Sequence, residues 1–113
     1  MKLTGKCKED FEKWLIGNPY DYDEPILYQE MPDFYNLPKS FQYGVYVDFF
    51  DSLGIMIELQ VHVIPSMQGR CFEGIRPVIL SNGKFYNVGA SFKTRERART
   101  EAIKKANEIY NLR

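Results

Sequence analysis

The chain has 113 residues, 44% apolar and 15% aromatic, with fifteen basic side chains balanced by fifteen acidic ones. That length and apolar content suit one domain with its own core, over residues 1–113, and exclude a disordered polymer. Zero net charge argues against a dedicated non-specific nucleic-acid binder, and no run approaches eighteen apolar residues, which excludes a membrane-spanning helix.

The charges are unevenly spread. Residues 17–36 carry Asp21, Asp23, Glu24, Glu30 and Asp33 without a Lys or Arg, whereas residues 93–113 carry seven bases against three acids. Cys7 and Cys71 lie far apart with no CxxC spacing, and the N-terminal segment has no apolar signal-peptide core. A cytoplasmic protein with two reduced thiols is expected.

In chain order, Thr4 is placed to cap a first helix that runs to Ile16, with Cys7, Phe11, Trp14 and Leu15 on one face and Glu9–Lys13 as an i,i+4 pair. Gly17 and Pro19 stop it. Residues 17–37, with Pro19, Pro25 and Pro32 among Ile26, Leu27, Phe34 and Tyr35, read as an ordered segment wrapping the core. Pro38 starts a second helix over Lys39–Ser52, its stripe formed by Phe41, Val45 and Phe49 and its stop by Leu53-Gly54. A strand through residues 43–47 is the rival reading, from β propensity.

Strict alternation follows. Ile55, Ile57, Leu59, Val61 and Val63 interleave with Met56, Glu58, Gln60 and His62, the pattern of a half-buried strand. Residues 66–70 read as a loop, and residues 72–80 as a second strand in which Pro77 implies an edge or a bulge. Asn82-Gly83 is a hairpin signal leading into a third strand over residues 84–92. Thr94 caps a last helix with Ala98, Ala102, Ile103, Ala106, Ile109 and Tyr110 along its apolar stripe. The expected fold is α+β: a three-stranded antiparallel sheet with helices packed on one face, in the order α-α-β-β-β-α.

Two resemblances accompany this layout. From Pro38 onward, the order of elements, Asn82-Gly83-Lys84, Gly89, Thr94-Arg95-Glu96-Arg97-Ala98-Arg99 and Ala102 resemble the double-stranded RNA-binding domain. In that family a Lys-Lys-x-Ala-Lys run at this helix start holds phosphates across a groove. Arg95 and Arg99 match its outer bases and Ala98 its alanine. Glu96 stands where the second lysine belongs, and the family's first-helix glutamate and His-bearing loop have no counterpart. Separately, Leu37-Pro38 with residues 42–52, and residues 92–95 with residues 102–110, are similar to small uncharacterised proteins of Bacteroides-type bacteria and their phages. That similarity implies a phage or mobile-element accessory protein and supplies no catalytic residue.

The candidate sites follow from these features. Lys93, Arg95, Arg99 and Lys104 form a phosphate-contacting set at the start of the last helix, where backbone N–H groups favour anions. Tyr20, Tyr22, Asp23 and Tyr28 form an acidic, aromatic set suited to an unidentified protein partner. His62 with Glu58 and Gln60 lacks metal-ligand spacing, and Cys71 with His62 and Asp48 or Asp51 offers the residue types of a nucleophile trio without a flanking motif. No cofactor, metal site or catalysis is expected. The expected function is a non-catalytic protein-interaction module, with weak binding of duplex nucleic acid as the alternative; an exposed sheet edge is a second place where a protein, or another copy of the chain, can pair.

Overall fold

A computed structural model of the chain describes residues 1–17, 34–67, 69–89 and 91–113. Its architecture is α+β: among the described residues three helices accompany one three-stranded antiparallel sheet of order β1-β2-β3. The elements are α1 (Gly5–Ile16), α2 (Lys39–Ser52), β1 (Ile55–Ser66), β2 (Gly69–Ser81), β3 (Lys84–Asn87) and α3 (Arg95–Asn111).

The sheet buries Ile55, Ile75 and Ile79 on one face, against α2 and α3. Ala98, Ala102 and Ala106 are fully buried on α3, where small side chains let the helix lie close to the strands. α1 packs on the outer side of the two helices. Phe11 sits fully buried at that seam, with ring centroids 4.8 Å from Tyr46, 5.2 Å from Phe49 and 5.2 Å from Phe34. Edge-on and tilted rings of this kind add to plain area burial.

α2 has the expected limits, and the strand reading of residues 43–47 gives way to it. Its buried face is rotated from the expected stripe. Val45, Tyr46, Phe49 and Phe50 face inward, but Phe41 is 62% exposed and Gln42 is buried in its place. Gln42 Nε2 donates to the carbonyls of Tyr35 at 3.1 Å and Leu37 at 2.9 Å, so it ties down the turn before the helix. A buried amide with two such bonds outweighs burial of one more ring.

The first cap also differs from expectation. Thr4 takes the cap position of α1 but its side chain caps nothing; its Oγ1 accepts from Asn107 Nδ2 at 2.9 Å. The free N–H of Cys7 donates instead to Asn111 Oδ1 of α3 at 2.9 Å. Thr94, by contrast, caps α3 as expected, accepting from the Arg97 N–H at 3.2 Å.

The strands run longer and end differently than their patterns imply. β1 and β2 continue as a hairpin to Ser66↔Gly69, through the segment expected as loop. β3 stops at Asn87, since Gly89 has φ +92, and Phe92 rejoins alone: it exchanges two backbone hydrogen bonds with Ile75, of 2.7 and 2.8 Å. Pro77 is buried and central toward β1, opposite Leu59, while β3 has already ended at the pair Val78↔Asn87. The bulge lies at Glu73, between the pairs His62↔Gly74 and Val63↔Phe72. Gly74 is needed there, because a Cβ would stand 2.7 Å from that of Ser91.

Candidate functional site

The basic start of α3 is built from a capped helix end and its neighbours. Lys93 does not project freely: its Nζ donates to the Glu73 carbonyl at 2.6 Å, satisfying a backbone group that the bulge leaves unpaired. Arg97 pairs with Glu101 at 3.5 Å and lies 5.9 Å from the Phe92 ring centroid. Arg99 lies half-buried over the Tyr43 ring of α2, 5.5 Å from its centroid, with Nε buried and without a hydrogen-bond partner among the described residues. Burial pushes the Tyr43 phenol up, and the Arg99 charge pulls the other way. Arg95 and Lys104 make no ion pair among the described residues.

Of the four basic residues singled out in the sequence, Arg95 and Arg99 therefore share one face. Lys104, nine residues beyond Arg95, lies on nearly the opposite side of a helix turning roughly 100° per residue. The structure adds a residue that sequence reasoning missed. Lys39, the first residue of α2, meets Glu96 at 3.4 Å and so stands beside Arg95 and Arg99. No one-dimensional signal links positions 39 and 96. Both side chains are about seven-tenths exposed, so the pair masks the Glu96 charge without contributing much stability.

The acidic aromatic set, Tyr20, Tyr22, Asp23 and Tyr28, lies outside the described residues. The fold separates the acid of the nucleophile trio from the other two members. Asp51 lies in the last turn of α2, just before β1 begins, whereas His62 is seven residues along β1, roughly 23 Å away at strand rise. Cys71 pairs opposite Ile64, two residues beyond His62, so the backbone brings it near His62 but leaves it far from Asp51. Among the described residues no group of three or more His, Cys, Asp or Glu is arranged to hold a metal ion, and no helix is long and apolar enough to cross a membrane.

The larger exposed feature is the sheet. Among the described residues no strand pairs with the outer edge of β1. The face turned away from the helices carries an in-register apolar row, Met56–Leu80–Phe85, in which Met56 is 55% and Phe85 68% exposed. Past Leu59 the β1–β2 hairpin outruns the helices. Val61 and Val63, expected on the buried side, are 52% and 46% exposed. Their alternation is that of a core strand, and only the reach of the helices decides where it stops being covered.

Comparisons with protein-family models, with curated proteins and with solved structures return no significant match.

Proposed function

We propose that the chain is a non-catalytic interaction module that takes up another polypeptide by strand addition along the outer edge of β1. The observation that carries this reading is a twelve-residue edge strand whose two outermost valines on the helix side, Val61 and Val63, are left in water. Unpaired backbone N–H and C=O groups supply affinity in this mode, and alternate side chains supply selectivity. Met56 and Phe85 widen the apolar area on the open face, and zero net charge suits a partner recognised by shape more than by long-range attraction. The cytoplasmic setting and the phage or mobile-element origin rest on the sequence features alone. The test is an affinity capture from host lysate with wild type and with Val61→Lys/Val63→Lys. The bound polypeptide should be lost in the variant while circular dichroism stays unchanged; equal capture by both would sink the reading.

Weak duplex binding remains the second reading, favoured by Lys39 joining Arg95 and Arg99 at the first turns of α2 and α3. Its support is thinner, because Lys93 is engaged with Glu73 and Lys104 faces elsewhere. Fluorescence anisotropy with labelled duplex RNA and DNA separates the two. Binding that weakens steeply with salt and is lost on Arg95→Glu/Arg99→Glu would favour phosphate contacts; no binding at low salt removes them.

A further inference from the structure

We infer that the polypeptide taken up along β1 is a second copy of this chain, paired antiparallel about a two-fold axis at Gln60 so that the sheet continues across both copies. The inference rests on the strand-addition reading above and names its partner.

The argument is one of register. A two-fold axis normal to the sheet keeps the helix side of each copy aligned with that of the other, so a symmetric pairing must be centred on a residue. Centred on Gln60, Glu58 stands opposite His62 of the second copy, and the same pair recurs on the other side of the axis. Gln60 meets Gln60. On the helix side, Leu59 meets Val61 and Ile57 meets Val63, so the two exposed valines gain apolar neighbours.

Neighbouring centres do worse. Glu58 as centre sets carboxylate against carboxylate, and His62 as centre sets imidazole against imidazole. Leu59 or Val61 as centre leaves Glu58 facing Gln60 or Ile64. His62 Nε2 is buried and has no hydrogen-bond partner among the described residues, so the ring must turn outward to meet Glu58 of the second copy, but no internal bond to that atom has to break. Pro65 falls at the end of the paired stretch, opposite Ile55, where a missing N–H is tolerated. Zero net charge imposes no long-range repulsion between copies.

Sedimentation velocity from micromolar to millimolar concentration should show a species of twice the 13.3 kDa chain mass that grows with concentration. His62→Glu sets like charges opposite each other at both symmetric pairs and should weaken the dimer about tenfold; Glu58→His should weaken it similarly. The exchanged double variant, Glu58→His with His62→Glu, should restore it. Both positions lie on the face away from the helices, and circular dichroism checks that each variant folds. In a Cys71→Ser background, Gln60→Cys should oxidise to a cross-linked dimer, because directly opposite Cβ atoms lie about 4.5–5.5 Å apart. A monomer at every concentration overturns the inference, as does a dimer indifferent to His62→Glu or one not rescued by the exchange. A monomer leaves strand addition by a different polypeptide standing; that reading fails separately, on capture that survives Val61→Lys/Val63→Lys.

Discussion

Several ionisable side chains in the helical layer hold their protons more tightly than they do in water, Cys7, Tyr35 and Tyr110 among them. Burial pushes the Cys7 thiol from its ordinary 9.0 up to about 12, helped by the nearby Asp10 carboxylate. Burial and the Glu12 carboxylate push Tyr35 from 10.0 to about 12, and its hydroxyl donates to Glu12 Oε1 at 3.2 Å. Tyr110 rises from 10.0 to about 12 chiefly because its hydroxyl donates to Asp10, and the same bond holds the Asp10 carboxyl below its usual range. The sign follows directly. The native state keeps protons that the unfolded chain releases, so the stability linked to these groups is full below their ordinary values and lost as pH climbs through the raised ones. Thermal unfolding should therefore give a Tm that declines from about pH 9 toward pH 12. A flat Tm across that window would contradict this protonated cluster. The same burial makes Cys7 a poor nucleophile, in keeping with a structural thiol.

At the scale of elements, α1 depends on α3 for its start. Its first turn has no side-chain cap of its own, and Asn111 spans the gap: Oδ1 accepts from the Cys7 N–H, and Nδ2 donates to the Thr4 carbonyl at 3.0 Å. Asn107 completes the joint, with Oδ1 accepting from the Thr4 N–H at 2.9 Å. Gly5, at φ +62, fits beneath Asn111, where a Cβ would stand 3.3 Å from its amide. Asn111→Ala removes the cap and should lower stability by about 1–2 kcal/mol in chemical denaturation, as loss of a helix N-cap does. Thr4→Val leaves both Asn111 bonds in place and removes only the Asn107 Nδ2–Thr4 Oγ1 bond, so it should cost less than Asn111→Ala, which removes two. A larger loss for Thr4→Val than for Asn111→Ala would reverse this assignment.

At the scale of the whole molecule, the body and the hairpin differ in support. The chain extends 55 × 29 × 22 Å, and the long β1–β2 pairing outlasts the helices that cover its base. Residues 78–81 of β2 are bonded to strands on both sides, whereas residues 70–72, among the described residues, pair with β1 alone. Protection against exchange tracks the free energy of local opening. Amide hydrogen exchange should accordingly be faster, by at least tenfold, over residues 70–72 than over residues 78–81. Equal protection at the two ends would argue that something covers the hairpin along its length.

Much of this arrangement is legible in one dimension because it is local. The Lys39–Ser52 helix, the alternation after Ile55, the Asn82-Gly83 turn and the Thr94 cap each follow from neighbours within a few residues, so the α+β order can be written from the sequence. What tertiary structure alone decided involves distant partners. Asn111 capping α1, Lys93 closing the bulge at Glu73, Lys39 beside Glu96 and Gln42 displacing Phe41 all join positions that no periodicity connects. The candidate surface belongs with these. Val61 and Val63 carry the same pattern as Ile55 and Ile57, and their exposure arises only because α2 and α3 are too short to cover the hairpin they rest on. Alternation states which face of a strand seeks cover; the length of the covering layer, a three-dimensional quantity, decides where that face meets water or another chain.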